Sequence, residues 1–226
     1  MKESKTIKDL VRTWDSNANL VSEYYQRRIA KSGISEESLD WRDRKSCLDF
    51  YDNALSLMEP STIYSIFDIG CGTANFYYYF KEKYRDVVYA GIDIVPQFIE
   101  YAKSLNRDLD VSTSNFVSYN SSNKYDLVVN MGGLNSRVEC FVEYIKYNIL
   151  KMIDMSNKYV IFNVIIKADN GYFGNSNETK TGHITFMEES KLIEILEEIK
   201  KMGYSYQLKK KSVFQGSQDA FVAIKK

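Results

Sequence analysis

The sequence predicts an α/β fold in which helices cover both faces of a mostly parallel sheet. From residue 63 onward, short apolar runs rich in β-forming residues alternate with segments whose apolar residues recur at helical spacing. The last two predicted strands are joined by only QGSQ, which is too short for a parallel crossover, so we expect that pair to be antiparallel. With 226 residues and 44% apolar content, the chain is long enough for one compact domain.

The first part of the chain is predicted to form a helical cap. Apolar residues recur at helical spacing over residues 5–30, and a second helical region is predicted over residues 35–58. Only two prolines interrupt the whole chain, and neither repeats nor linker-like composition separate the cap from the rest of the chain. We therefore expect one domain, with a helical cap over residues 1–60 and a core over residues 61–226.

The core is predicted to be a doubly wound, Rossmann-like sheet that ends in an antiparallel hairpin. Strands are predicted over 63–69, 87–94, 125–133, 158–166, about 204–214 and 219–225, and helices over 75–84, 96–106, 137–155 and 188–203. In such a sheet the ligand binds beyond the carboxyl ends of the strands, at the point where the strand order reverses.

The stretch IFDIGCGTANF, residues 66–76, fits a ligand-binding turn at such a strand end. Gly70 and Gly72 lack a Cβ, so they permit a tight turn and close approach of a ligand to the free N–H groups of the next helix. Asp93 ends the next strand, where an acid can accept both hydroxyls of a ribose. The alternatives are an ordinary strand-to-helix turn and a capping aspartate. Asn75 stands where the dinucleotide fingerprint has its third glycine, which disfavours NAD.

These segments, together with NFVSYNSSNKYDLVVNMGGLN, resemble the class I S-adenosylmethionine-dependent methyltransferases over about residues 20–226. The resemblance implies S-adenosylmethionine as cofactor and S-adenosylhomocysteine as product. It implies that the cofactor is bound by residues at the strand ends, namely Asp68, Gly70, Cys71, Gly72, Asp93, Ile94, Asn115, Phe116, Asn130 and Met131.

The same resemblance implies individual roles for some of these residues. Asp93 would bind the ribose, and Ile94 would pack on the adenine. Asn115 stands where relatives often place an aspartate for the adenine amino group. Asn130 and Met131 would lie beside the transferable methyl group.

The segment YYQRRIAKSGISEESLDWRDRKS is similar to the N-terminal cap of a bacterial subgroup that we associate with surface-polysaccharide modification, although Cys47 stands where glutamine is expected. The similarity implies that the cap closes over the cofactor, and the alternative is ordinary helix packing. The cap residues concerned are Tyr24, Tyr25, Arg28 and Trp41. The stretches NMGGLNSR and IFN also resemble the subgroup, and from them we expect acceptor contacts from Asn135, Arg137 and Asn163.

The expected reaction is methyl transfer to an oxygen of a small molecule, a saccharide or a phosphorylated precursor. His183, the one histidine of the chain, follows the polar loop after the strand predicted over 158–166 and is the candidate base, unless it is a surface residue. Tyr172 and Phe173 of that loop are candidate acceptor contacts. Cys140 falls inside a predicted helix, which disfavours a cysteine nucleophile. The alternatives are an RNA or protein methyltransferase, an NAD(P)-dependent oxidoreductase and a binding module without catalysis.

The composition of the chain indicates which classes of binding partner are expected. Lys plus Arg equals Asp plus Glu at 30 each, so no net field attracts nucleic acid. The three cysteines lack CxxC spacing, the first residues lack a signal-peptide core and no apolar run could span a membrane, so we predict a cytoplasmic protein without membrane insertion. No spacing typical of metal ligands is present, so no metal is expected. We expect a monomer or a homodimer.

Overall fold

A computed structural model describes residues 6–168, 184–212 and 217–226 of the chain. The strands are β1 (Ser65–Ile69), β2 (Val88–Asp93), β3 (Asp110–Thr113), β4 (Tyr125–Asn130), β5 (Ser156–Ala168), β6 (Ser205–Lys211) and β7 (Ser217–Lys225). The helices are α1 (Ile7–Ser32), α2 (Arg44–Leu55), α3 (Asn75–Lys83), α4 (Pro96–Leu105), α5 (Phe141–Met155) and α6 (Glu189–Lys201). Within the described ranges, no helix has the length and apolar character needed to span a membrane.

The seven strands form one sheet in the order β3-β2-β1-β4-β5-β7-β6. Strands β1 to β5 run parallel, whereas β7 pairs antiparallel with both β5 and β6. The strand order reverses between β1 and β4, which is where a sheet of this kind opens a crevice for a ligand. The predicted fold class, including the antiparallel pair at the end of the chain, is confirmed.

Each face of the sheet is covered by its own apolar cluster. Consecutive strand residues alternate between the faces, so that Phe67 and Val128 join a cluster with α5 and α6, whereas Ile66 and Leu127 join one with α2, α3 and α4. All four side chains are buried. Because both faces are apolar, polar side chains that point into the molecule are concentrated beyond the strand ends, where the site lies.

The region between α1 and α2 differs from the predicted second helix over residues 35–58. Only a single 3₁₀ turn, Glu37–Leu39, precedes α2, and Asp40 follows it with a left-handed φ of 63°. Asp43 then caps α2, because its side chain accepts a hydrogen bond of 2.7 Å from the Ser46 N–H. The prediction of helix before Arg44 was therefore wrong, and local aspartate geometry is the reason.

The start of α5 also differs from the prediction of a helix from residue 137. The helix begins at Phe141, and Cys140 before it is exposed, with φ of 53°. The indole Nε1 of Trp14 donates a 2.7 Å hydrogen bond to the Glu139 carbonyl, so a long-range contact holds this segment in a loop. The prediction that Cys140 lies inside a helix was therefore wrong, and a helical position cannot be what disfavours a cysteine nucleophile.

Candidate functional site

A cavity of about 250 Å³ opens beyond the carboxyl ends of β1, β2 and β4 and extends to β5 and β7. One face of α1 forms part of its wall. Trp14, Ala18, Val21 and Tyr25 line it, at the helical spacing that places side chains on one side of a helix. The N-terminal helix therefore covers the strand ends where a ligand is expected.

Side-chain hydrogen bonds attach α1 to the loops at the strand ends. Asp15 accepts a 2.8 Å hydrogen bond from the Asn115 side-chain amide, in the loop after β3. Ser22 donates a 3.1 Å hydrogen bond to the carbonyl of Ile94, directly after β2. Both loop residues also line the cavity. The position of α1 and the shape of the cavity are consequently coupled.

The glycine loop between β1 and α3 has the tight geometry that the sequence predicts. Gly70 and Gly72 have φ values of 72° and 52°, which L side chains rarely adopt. A Cβ on Gly72 would lie 2.8 Å from Cδ2 of Leu39, so the loop also packs closely against the cap. The N–H groups of Gly70 and Cys71 donate to the Ile92 carbonyl at 2.8 and 3.0 Å, which ties the loop to β2.

Asp93 joins the glycine loop to the end of β2. One carboxylate oxygen accepts the Gly72 N–H and the other accepts the Val95 N–H, both at 2.8 Å. Burial raises the pKa of Asp93 to about 6, while these backbone N–H bonds act in the opposite direction. The carboxyl therefore stabilises the loop and at the same time lines the cavity.

Asp68 is a second buried carboxyl of the same wall. It is 3% exposed and accepts a 2.7 Å hydrogen bond from the Tyr89 hydroxyl. Burial raises the pKa of Asp68 to about 7, the Tyr89 hydrogen bond opposes this shift, and the charge of Asp93 adds to it. Two acids beside the glycine loop thus favour a cationic or hydroxyl-bearing ligand.

A polar chain crosses the opposite end of the cavity, from β4 to β7. The Gly132 N–H donates to Oδ1 of Asn163 at 2.7 Å, and Nδ2 of Asn163 donates to Oδ1 of Asp219 at 2.9 Å. The Ser217 hydroxyl approaches the other oxygen of Asp219 at 3.4 Å. Burial raises the pKa of Asp219 to about 6, opposed by the hydrogen bonds from Asn163 and Ser217.

Asn135 lies in the loop after β4, and its amide bonds to backbone. Nδ2 donates to the carbonyls of Thr185 at 2.7 Å and Ile165 at 3.3 Å, and Oδ1 accepts the Ile165 N–H at 2.9 Å. The side chain is 4% exposed. Asn135 therefore connects the loop that follows β4 with two other segments, strand β5 and the segment before α6.

The structure brings most of the predicted site residues to this one cavity. Those that line it are Tyr25, Trp41, Asp68, Gly70, Cys71, Gly72, Asp93, Ile94, Asn115, Phe116, Asn130, Met131, Asn135 and Asn163. The catalytic candidate His183 and the acceptor candidates Tyr172 and Phe173 lie outside the described residues.

Three described residues lie elsewhere than predicted. Arg137 is exposed and is not part of the cavity wall. Tyr24 donates a 3.0 Å hydrogen bond to Asp40, and Arg28 forms an ion pair with Asp40 at 3.1 Å and donates to the Glu37 carbonyl. Tyr24 and Arg28 consequently support the turn whose next residue, Trp41, lines the cavity.

Many residues that line the cavity were not predicted from the sequence, and among four of them, Trp14, Tyr144, Asn148 and Asp219, only Asp219 carried a usable signal. Trp14, Tyr144 and Asn148 lie on helices, where their spacing resembles that of ordinary core residues. Asp219 is the first residue of the strand predicted over 219–225, DAFVAIK, beside a run of apolar residues, and an acid there is unusual enough to have been noted.

Comparison with known proteins agrees with this architecture. Residues 66–145 match the family model described as a methyltransferase domain. A comparison with curated protein sequences returned no match. The matched segment spans the glycine loop, Asp93 and the end of β4.

Solved structures share the fold over nearly the whole chain. Magnesium protoporphyrin IX methyltransferase from Synechocystis PCC 6803, with bound SAH, has a TM-score of 0.64 at 13% identity and covers 92% of this chain and 99% of its own. Plantazolicin methyltransferase BpumL has a TM-score of 0.65 at 16% identity and covers 97% and 98%. The DhpI–SAH complex has a TM-score of 0.59 at 12% identity and covers 97% and 98%. The fold and the matched segment define the class, a methyltransferase with a Rossmann-like core.

Proposed function

We propose that the protein transfers a methyl group from S-adenosylmethionine to an oxygen of a small-molecule or saccharide acceptor, including phosphorylated precursors. The observation that carries the cofactor assignment is the junction of Asp93 with the glycine loop. Its carboxylate accepts the N–H groups of Gly72 and Val95 at the edge of the cavity. This places a carboxyl and a loop without side chains together, where a ribose and an amino-acid chain need them.

The β1–β2 end of the cavity suits the cofactor chemically. Asp93 binds the ribose hydroxyls through its remaining lone pairs, and Asp68 faces the positively charged amino-acid part. Phe116 is 5% exposed and offers an apolar surface near Ile94 for the adenine. The structural neighbours were solved with S-adenosylmethionine or S-adenosylhomocysteine, which supports the same assignment.

The cap acts as a cover in this proposal. The described part of the cap places Tyr25 and Trp41 on the cavity wall, and Tyr24 and Arg28 hold the turn that carries Trp41. Trp41 is itself supported by edge-on contact with Phe50, with ring centroids 5.0 Å apart. Covering the site excludes water and holds the reactants in line, which is the main contribution a protein makes to a displacement reaction.

The cofactor supplies an activated methyl group on a sulfonium, and the chain supplies position and proton acceptance. Asn130 ends β4 and Met131 follows it, between the two ends of the cavity, so we assign both to the methyl group. Oδ1 of Asn130 accepts the Gly133 N–H at 3.0 Å, which fixes the direction of the following loop. The roles of His183, Tyr172 and Phe173, the cytoplasmic location and a function in surface-polysaccharide modification stay predictions from the sequence.

Calorimetry with S-adenosylhomocysteine and NADPH tests the cofactor assignment. We expect micromolar binding of S-adenosylhomocysteine, about −8 kcal/mol, and none of NADPH. Asp93→Asn should weaken binding at least about tenfold, the scale of a lost charge-assisted hydrogen bond. Asp108→Asn removes the same charge from an exposed site and should leave binding unchanged. Binding of NADPH instead of S-adenosylhomocysteine would overturn the proposal.

A further inference from the structure

Asp219 is a buried carboxyl at the end of the cavity farthest from the glycine loop. It is 1% exposed, and it belongs to β7, the antiparallel strand inserted between β5 and β6. Its neighbours across β5, Asn163 and Ile165, also line the cavity. Burying an acid at a strand end is costly unless it has hydrogen-bonding partners or a function.

The hydrogen bonds of Asp219 orient it without saturating it. Oδ1 accepts from Asn163 at 2.9 Å, and the Ser217 hydroxyl lies 3.4 Å from Oδ2. A carboxylate offers about four acceptor positions, so lone pairs remain for a ligand. Through Asn163, the same chain fixes the Gly132 N–H, next to Met131 at the end of β4. Asp219 is thus two hydrogen bonds away from the loop that we assign to the methyl group.

The charges of the wall restrict what can bind there. Among the described residues that line the cavity, the ionisable acids are Asp40, Asp68, Asp93 and Asp219, and none is Lys, Arg or His. The cofactor adds positive charge near Asp68 and Asp93. Around Asp219 no described cation compensates an anionic acceptor, and like charges at close range repel strongly in a buried site.

We propose that Asp219 binds the nucleophilic group of the acceptor and receives its proton, so that this group is a hydroxyl or an amine and not a carboxylate or phosphate oxygen. The inference rests on the proposed function: it narrows the acceptor oxygen to a hydroxyl, excludes a phosphate oxygen of a phosphorylated precursor, and adds an amine as the other acceptor group that the site would accept.

The reaction step is balanced with these groups. A lone pair of the acceptor oxygen or nitrogen forms the new bond to the methyl carbon, and the carbon–sulfur bond breaks with its electron pair remaining on sulfur. The proton of the acceptor passes to the Asp219 carboxylate, and it leaves to solvent when the product is released. Asn163 keeps the carboxylate oriented throughout. The products are the methyl ether or methylamine, S-adenosylhomocysteine and a proton.

Two cofactor analogues test whether Asp219 binds the acceptor group, and the natural acceptor does not have to be known. One carries an aminoethyl arm at the position of the transferable methyl group and the other a carboxymethyl arm, so each places a charge at the acceptor end. By calorimetry, the wild-type protein should bind the amine at least about tenfold more tightly than the carboxylate, the scale of one close charge pair. Asp219→Asn should reduce this preference to less than about threefold.

Controls separate this inference from the cofactor assignment. S-Adenosylhomocysteine has no arm, so its affinity for Asp219→Asn should be within about threefold of its affinity for the wild type. Thermal unfolding of Asp219→Asn shows whether this variant is folded. Asp108→Asn should keep the full preference for the amine. Equal or tighter binding of the carboxylate arm, or an unchanged preference in Asp219→Asn, would overturn the inference. Loss of S-adenosylhomocysteine binding by the wild type would instead refute the cofactor assignment and the inference with it.

Discussion

The two ends of the cavity are built in different ways. At the β1–β2 end, the glycine loop and Asp93 come from one continuous stretch, and their hydrogen bonds connect residues within about one βαβ unit. At the β5–β7 end, Asn163 and Asp219 are 56 residues apart, and the Asn135–Thr185 contact spans 50. Local sequence thus specifies the first end, whereas only the completed sheet assembles the second.

The two ends of the cavity also differ in the number of buried carboxyl groups. The β1–β2 end has two buried carboxyls, Asp68 and Asp93, whose charge the proposed cofactor would balance. The β5–β7 end has one, Asp219, held by neutral partners. A short motif can specify a binding site for a fixed cofactor, whereas the acceptor selectivity that we propose would depend on wall residues that the motif does not contain. Variants at each end should therefore have separable effects on stability and on binding.

The largest effect is expected from the buried carboxyl Asp68. Burial raises its pKa from 3.8 in a free chain to about 7 in the folded protein. A carboxyl with a raised pKa binds its proton more tightly when folded, so its stabilising contribution is complete below pH of about 4 and is lost as the pH rises to about 7. The free energy of unfolding of the wild type should therefore fall between pH 4 and 7, and in Asp68→Asn this fall should be smaller by on the order of 3–4 kcal/mol.

Urea unfolding between pH 4 and 8 measures the effect. Asp93 and Asp219 have raised pKa values as well, so part of the decline should persist in Asp68→Asn. The exposed Asp108→Asn should follow the wild-type curve. An identical pH dependence in Asp68→Asn and wild type would show that this carboxyl is not neutralised by folding.

The next effect concerns the β5–β7 end. Asn135→Ala removes three side-chain hydrogen bonds to backbone groups of Ile165 and Thr185. We expect the free energy of unfolding to fall by about 3 kcal/mol, since each bond contributes about 1 kcal/mol and the partners are left buried. Asn19→Ala, on the exposed side of α1, should change it by less than about 0.5 kcal/mol. Equal free energies of unfolding of the two variants in urea would show that the hydrogen bonds of Asn135 to Ile165 and Thr185 do not stabilise the fold.

The smallest effect concerns the glycine loop. Gly72→Ala introduces a Cβ at φ of 52° and 2.8 Å from Leu39, so we expect S-adenosylhomocysteine to bind about tenfold more weakly. Gly203→Ala is a matched control, because Gly203 also has positive φ, of 97°, but a Cβ there meets nothing within 4 Å. It should lower stability by about 1 kcal/mol and leave binding unchanged. If calorimetry showed that the two variants bind S-adenosylhomocysteine equally tightly, the glycine loop would not contact this ligand as we propose.

The amino-acid sequence alone was enough to predict the fold class and the β1–β2 end of the site. Alternating strand and helix periods predicted the parallel sheet, and the short QGSQ connection predicted the antiparallel pair. Gly70, Gly72 and Asp93 could be located because the geometry they serve is local: a positive φ, a strand end and a helix start lie within a few residues of each other.

The features that depend on distant contacts required the folded chain. The cap was predicted to be helical and, from the resemblance, to close over the cofactor, but the contacts that hold α1 against the strand ends, such as Asp15 with Asn115 100 residues away, were not predicted. The helix predicted from residue 137 begins later because Trp14 holds Glu139 in a loop. Asp219 became a cavity residue only because β7 inserts between β5 and β6. Hydrophobic periodicity records which face of an element is buried, but not which distant element covers it, so packing determined the β5–β7 end of the cavity.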